Sequence, residues 1–269
     1  MIRLSRVLEE YDSAAVAFSG GIDSTFLAKA SRDVLGGKAV AVTVDSEAYP
    51  PQSIEDARKL AAFIGIRLIE IPARACDIPG FAENGPQRCY HCKKAIFSLM
   101  LEKAREEGVS VLIDGSNADD ANDYRPGMRA LVELGVKSPL MELGFSKRDI
   151  RILSREIGLP AWDRQSFACL ASRIPYGSRI TPGLLERTWR AEAVLMNLGM
   201  KRYRVRNHGD LARIELDQEG MDALFGDAGM RDAVVRSLKA LGFTWVALDL
   251  SGYRTGSMNE ALMNTEMEP

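Results

Sequence analysis

The stretch SAAVAFSGGIDSTFLAKASRDVL, residues 13–35, sets the fold class. Its first part, SAAVAFSG over 13–20, is a short apolar run that predicts a buried strand. Gly20 and Gly21 predict a tight turn, and apolar residues at helical spacing over 23–35 predict a helix. A strand that turns through glycines directly into a helix is typical of the opening of an α/β fold.

The first half of the chain continues this alternation. The sequence predicts further strands over 38–46, 66–73 and 110–117, and helices over 51–65 and 92–107. Strands separated by helices form a parallel sheet with helices on both faces, because the crossovers are right-handed. Ligands of such sheets bind beyond the carboxyl ends of the strands. We therefore expect Ser19, Ser46 and Asn117, which end three of these strands, at one edge of the sheet.

The second half has a different pattern. A charged amphipathic helix over 146–158 precedes an irregular stretch over 159–182. After it, the sequence predicts a helix over 183–198, strands over 201–209 and 211–217, one or two helices over 218–241 and a strand over 244–253. We therefore expect two domains: residues 1–165 with the parallel sheet, and residues 166–269 as a small α+β domain.

Composition excludes several classes of protein. The 269 residues are 46% hydrophobic and carry a net charge of −2, which is typical of a globular protein and not of a nucleic-acid binder. The sequence has no signal-peptide pattern and no apolar run of membrane-spanning length, so we expect a cytoplasmic protein with no membrane partner. Among its four cysteines, the close pair Cys89 and Cys92 favours metal binding or catalysis over a structural disulfide.

The glycine turn over 19–25 has the residues of an anion site. Backbone N–H groups of the turn and of the first helical turn would surround an anion, and the helix dipole would attract it. Ser19, Ser24 and Thr25 add hydroxyl donors, and Asp23 is suited to cap the helix. The turn has no lysine, so it is not a Walker A loop, and it lacks G-x-G-x-x-G. The alternative is a plain glycine turn followed by a capped helix.

Ser-Gly-Gly-Ile-Asp-Ser-Thr resembles the PP-loop of ATP pyrophosphatases, which have the fold of adenine nucleotide alpha hydrolases. The resemblance implies cleavage of ATP between its α- and β-phosphates, with Mg²⁺ on the phosphates and the loop holding the leaving pyrophosphate. The ATP-binding residues expected from it are Ser19, Gly20, Gly21, Asp23, Ser24, Thr25, Ser46 and Asn117.

Other stretches resemble the LarE family of sulfur transferases within this superfamily. They are DGSNADDANDYRPG (114–127), ACLASRIPYG (168–177), RVRNHGDLARIEL (204–216) and LDLSGYRTGSMN (248–259). The resemblance implies an enzyme that adenylates a carboxylate of pyridinium-3,5-dicarboxylate mononucleotide and converts it to a thiocarboxylate. The product serves biosynthesis of the nickel-pincer nucleotide cofactor.

Basic residues in these stretches suit an anionic substrate. Arg204 and Arg206 alternate along a predicted strand and so share one face, and Glu215 on the paired strand could balance their charge. With Arg125 and Arg173, these residues are the expected substrate-binding set. The alternative for two arginines on such a strand is a solvated outer face. Asp119, Asp120 and Asp123 are either magnesium ligands or turn formers, and the sequence leaves both open.

Cys169 matches the sulfur-bearing cysteine of the LarE family. In one branch of that family this cysteine gives up its own sulfur, and in another three cysteines hold a 4Fe–4S cluster. With Cys89, Cys92 and Cys169, this sequence resembles the second branch, so all three are the expected catalytic and metal-binding residues. A dithiol relay, a zinc site and unliganded thiols remain alternatives. We expect Cys76 to be a small buried apolar residue.

The expected partners are a small-molecule nucleotide, sulfide or a sulfur-donor protein, and further copies of the chain in a homo-oligomer. Two other functions fit parts of the sequence. A tRNA thiolase also combines a PP-loop with cysteines, but the net charge of −2 and the lack of a basic appendage disfavour it. A non-catalytic nucleotide sensor would need only the loop.

Overall fold

A computed structural model of the chain describes residues 1–122, 126–160, 162, 168–254 and 257. The described residues divide into two compact units, one from 1–81 and 87–167 and the other from 82–86 and 168–269. The short segment 82–86 belongs to the second unit, which the sequence did not predict. No helix within the described part of the chain is both long and apolar enough to span a membrane.

The first unit is built on a four-stranded sheet. Its strands are β1 (Ala14–Ala17), β2 (Ala39–Asp45), β3 (Arg67–Pro72) and β4 (Val111–Ile113). Their order is β3-β2-β1-β4, and every pair is parallel. The predicted parallel sheet is therefore confirmed, and β1 lies between β2 and β4.

Seven α-helices surround this sheet in the described residues. They are α1 (Ile2–Glu9), α2 (Ile22–Leu35), α3 (Gln52–Ile64), α4 (Arg88–Glu106), α5 (Pro126–Glu133), α6 (Pro139–Glu142) and α7 (Lys147–Glu156). The sequence did not predict α1, α5 or α6. Ser146 and Asp149 form a capping box that fixes the start of α7, close to its predicted position.

The sheet is covered on both faces, as its apolar strands predict. Val16 packs in a core cluster with residues of α1, α2 and α3, such as Leu4 and Phe26. Its neighbour Ala15 packs in a second cluster with residues of α4, such as Phe97. Because successive side chains of a strand point to opposite faces, these two clusters lie on opposite sides of the sheet.

Helix α4 begins four residues before its predicted start at 92. Residues 88–91 lack apolar periodicity, so the pattern gave no signal there. Tertiary contacts stabilise this turn instead. The Tyr90 hydroxyl donates to Glu133 of α5 at 2.7 Å, and the Arg129 guanidinium lies 4.0 Å from the centre of the Tyr90 ring. The earlier start places Cys89 inside the helix.

The described residues of the second unit form a three-stranded sheet and three α-helices. The strands β5 (Tyr203–His208) and β6 (Leu211–Leu216) form an antiparallel hairpin, and β7 (Trp245–Leu248) adds parallel to β6. The helices are α8 (Pro182–Asn197), α9 (Gln218–Gly226) and α10 (Ala228–Ala240). Their apolar side chains form a core with Val205 and Ile214. The predicted α+β arrangement is confirmed.

Candidate active site

A cleft of about 290 Å³ opens at the carboxyl ends of β1, β2 and β4. The turn after β1, the turn after β4 and one side of α4 supply its walls. Its lining includes Ser19, Gly20, Gly21, Asp23, Ser24, Lys93, Ile96, Phe97, Met100, Asp114, Gly115, Ser116 and Asp120. Five of the predicted ATP-binding residues therefore lie together at the edge of the sheet where ligands of α/β folds bind.

The glycine turn leaves the start of α2 open to a ligand. Gly20 has φ +71°, in the left-handed region that glycine adopts without strain. The N-cap residue is Gly21, which makes no side-chain cap hydrogen bond, so the expectation that Asp23 caps the helix is wrong. Ser24 instead braces the turn, since its hydroxyl donates to the Gly21 carbonyl at 3.1 Å and accepts from the Ser19 N–H at 3.2 Å.

The turn after β4 lies directly against this helix start. A Cβ atom at Gly115 would lie 2.8 Å from the backbone nitrogen of Ser24 and 3.0 Å from the carbonyl carbon of Asp23. Contacts that short are not tolerated between backbone and Cβ atoms, so this position requires glycine. The close approach fixes the two turns that together form the cleft.

Asp114 is a cleft residue that the sequence analysis did not single out. It is buried, and its carboxylate accepts hydrogen bonds from the hydroxyls of Ser116 and Ser138, each at 2.5 Å. The only sequence signal was its position directly after a predicted strand. The partner Ser138 is far away in the chain, so this network could not be read from local pattern.

Asp23 carries an unusual charge environment. Burial raises the pKa of its carboxyl to about 6, and Asp120 adds to that effect, whereas Lys147, Arg151 and the Asn117 amide oppose it. Nevertheless, within the described residues neither Oδ1 of Asp23 nor Nδ2 of Asn117 has a hydrogen-bond partner at normal distance. A buried carboxylate oxygen without a partner at a cleft wall is suited to a cation.

The remaining predicted ATP residues lie outside this cleft. Ser46 follows β2 and lines a separate cavity of about 150 Å³. Thr25 and Asn117 are fully buried. The Asn117 side chain accepts from the Asp119 N–H at 3.0 Å, and Asp120 accepts from the Asn117 N–H at 3.1 Å. These bonds agree with the turn-forming interpretation of Asp120, which also lines the cleft.

Helix α4 connects the close cysteine pair to the cleft. Residues three and four apart on a helix share a face, and Cys89, Cys92, Lys93, Ile96, Phe97 and Met100 follow that spacing. The last four line the cleft, so the pair lies at the N-terminal end of the same stripe. Cys89 is exposed and 3.7 Å from the Arg88 guanidinium, whereas Cys92 is partly buried against the core.

Cys76 lies apart from this stripe and is only partly buried, so the expectation that it is a buried residue is wrong. Burial and the nearby Glu47 carboxylate raise the pKa of its thiol to about 11. Glu47 accepts the backbone N–H groups of Ala75 and Cys76 at 3.1 and 3.0 Å. A thiol kept protonated in this way is a poor nucleophile and metal ligand.

A buried cluster of charges occupies one face of the β5–β6 hairpin in the second unit. Arg206 binds Glu215 through two hydrogen bonds, at 2.9 and 2.7 Å. Burial and the nearby Arg173 lower the pKa of Arg204, which lies over the Tyr253 ring at 5.2 Å. Arg204 and Arg206 are both buried, so the alternative of a solvated outer face is wrong. Arg125 lies outside the described residues.

Arg173 holds the backbone beside Cys169. It is completely buried and binds Glu192 through two hydrogen bonds, at 2.9 and 3.0 Å. Its remaining nitrogen donates to the carbonyls of Ala168 and Cys169 at 2.7 and 3.1 Å. These bonds fix the turn at Cys169, which itself is partly buried.

Among the described residues, no group of three or more His, Cys, Asp or Glu side chains could hold a metal ion. Cys89 and Cys92 belong to the first unit and Cys169 to the second.

Some known proteins are similar to part of this chain, and others are similar over nearly its full length. Residues 4–88 match the family model for NAD synthase. The chain is 41% identical over 259 residues, 96% of each chain, to an uncharacterized protein of Synechocystis sp.. It is 37% identical over 266 residues, 98% of this chain and 95% of the relative, to pyridinium-3,5-bisthiocarboxylic acid mononucleotide synthase of Lactiplantibacillus plantarum. A GMP synthase of Aeropyrum pernix is 24% identical over 163 residues, 55% of this chain and 31% of its own.

Replacing Gly115 by alanine is expected to weaken ATP binding by at least about tenfold, because the new Cβ must push the start of α2 away from the turn after β4. Isothermal titration calorimetry with ATP and Mg²⁺ measures the effect. Gly37→Ala is the matched control, since a Cβ there meets nothing within 4 Å. Equal affinities for the two variants would contradict the proposed role of the close approach.

The raised pKa of Asp23 predicts a pH-dependent stability. An unfolded aspartate titrates near 3.8, so between that pH and about 6 the folded protein holds a proton that the unfolded chain has lost. The free energy of unfolding should therefore fall as pH rises through this window. Asp23→Asn removes the effect, and its stability relative to the wild type should increase from pH 4 to pH 6.5.

Urea unfolding in EDTA, without ATP, measures this difference. Asp12→Asn, at an exposed position, is the control and should not change with pH in the same way. A stability difference between Asp23→Asn and the wild type that stays constant across the window would refute the prediction.

Proposed function

This chain belongs to the LarE family of sulfur transferases, and on that basis we propose that it converts a carboxylate of pyridinium-3,5-dicarboxylate mononucleotide into a thiocarboxylate with the use of ATP. The proposal assigns the enzyme to biosynthesis of the nickel-pincer nucleotide cofactor. The observation that carries it is that the glycine turn over 19–25 and the cysteine-bearing helix α4 border the same cleft.

ATP would bind with its phosphates at the start of α2. The uncapped N-terminus of this helix offers backbone N–H groups, and the helix dipole favours negative charge there. Ser19 and Ser24 line the same space. Donors fixed in this way stabilise the charge that develops on pyrophosphate as it leaves, which is where a cleavage between α- and β-phosphates needs them.

Two bond exchanges complete the reaction. A carboxylate oxygen of the substrate attacks the α-phosphorus, the bond to the bridging oxygen breaks, and pyrophosphate leaves with the electron pair. A sulfur nucleophile at the oxidation level of sulfide then attacks the acyl carbon, and the carbon–oxygen bond to AMP breaks. Neither exchange changes an oxidation state, so ATP and a sulfide source suffice.

The acidic side of the cleft fits Mg²⁺. Asp23, with its unpartnered Oδ1, and Asp120 are the residues that would hold the ion. When bound, Mg²⁺ neutralises phosphate charge and orients the triphosphate.

The substrate carries negative charges on its phosphate and carboxylates, and the buried charged cluster of the second unit is suited to bind them. Arg173, Arg204, Arg206, Glu192 and Glu215 together carry an excess of one positive charge. Burial, and after it the nearby Arg173, lowers the pKa of Arg204. A buried positive excess attracts a phosphate or a carboxylate. We assign this attraction to Arg204 and Arg206, while the bonds of Arg173 to the Cys169 turn suit it to positioning the sulfur-bearing residue.

A 4Fe–4S cluster is the sulfur carrier we propose, with Cys89, Cys92 and Cys169 as its ligands. Support comes from the chemistry of thiolates, which such clusters prefer, and from the shared helix face of Cys89 and Cys92. When bound, the cluster supplies a sulfide to the acyl group. Transfer of the sulfur of Cys169 itself is the alternative route.

The reaction products test the ATP chemistry. With the dicarboxylate nucleotide, ATP, Mg²⁺ and sulfide, we expect equimolar AMP and pyrophosphate and a product that contains sulfur in place of carboxylate oxygen. Anion-exchange chromatography and mass spectrometry measure them. Release of ADP and phosphate would refute the adenylation mechanism.

Measuring the iron and acid-labile sulfide content of the protein tests whether a 4Fe–4S cluster is the sulfur carrier. Protein purified without oxygen should be brown and contain both, and each of Cys89→Ala, Cys92→Ala and Cys169→Ala should lose them, because each removes a thiolate ligand. Cys76→Ala is the matched control and should keep them. Colourless, iron-free and fully active protein would exclude the cluster, and loss of one sulfur from Cys169 per turnover would support the alternative route.

A further inference from the structure

Lys93 occupies a distinctive place in the cleft. It follows Cys92 directly and lies one helical turn after Cys89, on the stripe of α4 that lines the cleft. Its Nζ lies 5.7 Å from the centre of the Phe97 ring, which also lines the cleft. The side chain therefore stands between the cysteine end of the helix and the space assigned to ATP.

The residues that line the cleft are mostly acidic where they are charged, which sets this lysine apart. Among the described residues that line it, Lys93 is the one lysine or arginine, against four aspartates: Asp23, Asp56, Asp114 and Asp120. The phosphate-binding turn over 19–25 contributes no lysine. Lys147 and Arg151 act on the Asp23 carboxyl but are not among the described residues that line the cleft. Among those lining residues, positive charge therefore comes from Lys93 of α4, at the end of the helix nearest the cysteines.

The neighbouring helix leaves room for this side chain. A Cβ atom at Gly127, on α5, would lie 2.6 Å from Cδ of Lys93. The residue at 127 is buried, so a larger side chain there would displace the lysine stem. Because position 127 has no side chain, the stem of Lys93 has space along the cleft wall.

We propose that Lys93 binds the α-phosphate of ATP and of the acyl-adenylate and acts in both bond exchanges. In the first, its ammonium stabilises the negative charge on the α-phosphate oxygens while pyrophosphate leaves. In the second, the sulfur nucleophile and the phosphate of the adenylate are both anionic and repel each other. An ammonium between them offsets that repulsion and stabilises the departing AMP. This inference rests on the function proposed above.

Substitutions at 93 and 94 test the inference. Lys93→Met should lower kcat for AMP release by about 100- to 1,000-fold, as loss of one fixed donor to a transition-state charge does, and Lys93→Arg should recover part of the loss. Lys94→Met is the matched control. Lys94 is exposed and binds Glu133 at 2.8 Å on the outer side of α4, so its loss should change kcat less than twofold.

The choice of nucleophile separates a charge effect from a structural one. Hydroxylamine is neutral and captures an acyl-adenylate as a hydroxamate, whereas hydrosulfide is anionic. If Lys93 screens the phosphate, Lys93→Met should raise the ratio of hydroxamate to thiocarboxylate by at least about tenfold over the wild type. A merely disturbed cleft would slow both products equally. Gly127→Ala, which displaces the lysine stem without removing its charge, should shift the ratio in the same direction.

Two results would overturn the inference: kcat unchanged in Lys93→Met, or a lowered kcat with the wild-type product ratio in both Lys93→Met and Gly127→Ala. Circular dichroism and the urea midpoint verify that each variant is folded. If Lys93→Met does not fold, kcat and the product ratio of Lys93→Arg test the inference instead. The proposed function fails separately, since wild-type protein that releases no AMP and pyrophosphate would refute it whatever the variants do.

Discussion

The contact between the turn at Gly115 and the first turn of α2 is the constraint on which the first unit depends. Two backbone segments approach so closely that no Cβ fits between them. Because β1 and β4 are parallel neighbours, their turns emerge at one edge, and this contact locks them together. The residues of both turns then line one cleft, so its shape follows from a single backbone arrangement.

The two units differ in where their charged side chains lie and in whether they are paired. In the first, the described residues that line the cleft include four aspartates and one lysine, Lys93 of α4. In the second, arginines and glutamates are buried together, as in the pair of Arg173 with Glu192. Removing one member of such a pair leaves an uncompensated buried charge, which costs about 3–5 kcal/mol. Arg173 and Arg206 of the second unit are thus paired with glutamates, whereas Asp23 of the first unit has a carboxylate oxygen with no hydrogen-bond partner among the described residues.

The sequence pattern predicted those structural features that are determined by neighbouring residues in the chain. The strand–glycine turn–helix unit around Ser19 follows from apolar periodicity and from backbone freedom, so its fold class and part of its site could be read from the sequence. The start of α4 could not, because its first turn is stabilised by Tyr90 meeting α5. Nor could the position of Lys93, since the face of a helix that meets a cleft is decided by packing. Ser138, which donates to Asp114, and Glu192, which binds Arg173, lie 24 and 19 residues away in the chain and give no local signal.

The exposure of Cys89 at the first turn of α4 bears on how such an enzyme can evolve. A side chain that touches no core can be exchanged at little folding cost, typically within about 0.5 kcal/mol. The residue at this end of the helix can therefore change by single substitutions without loss of the fold. The cleft-lining residues further along α4 are half-buried or buried and are held by packing. Variation is thus tolerated at one exposed position, next to a cleft whose lining is constrained by the core.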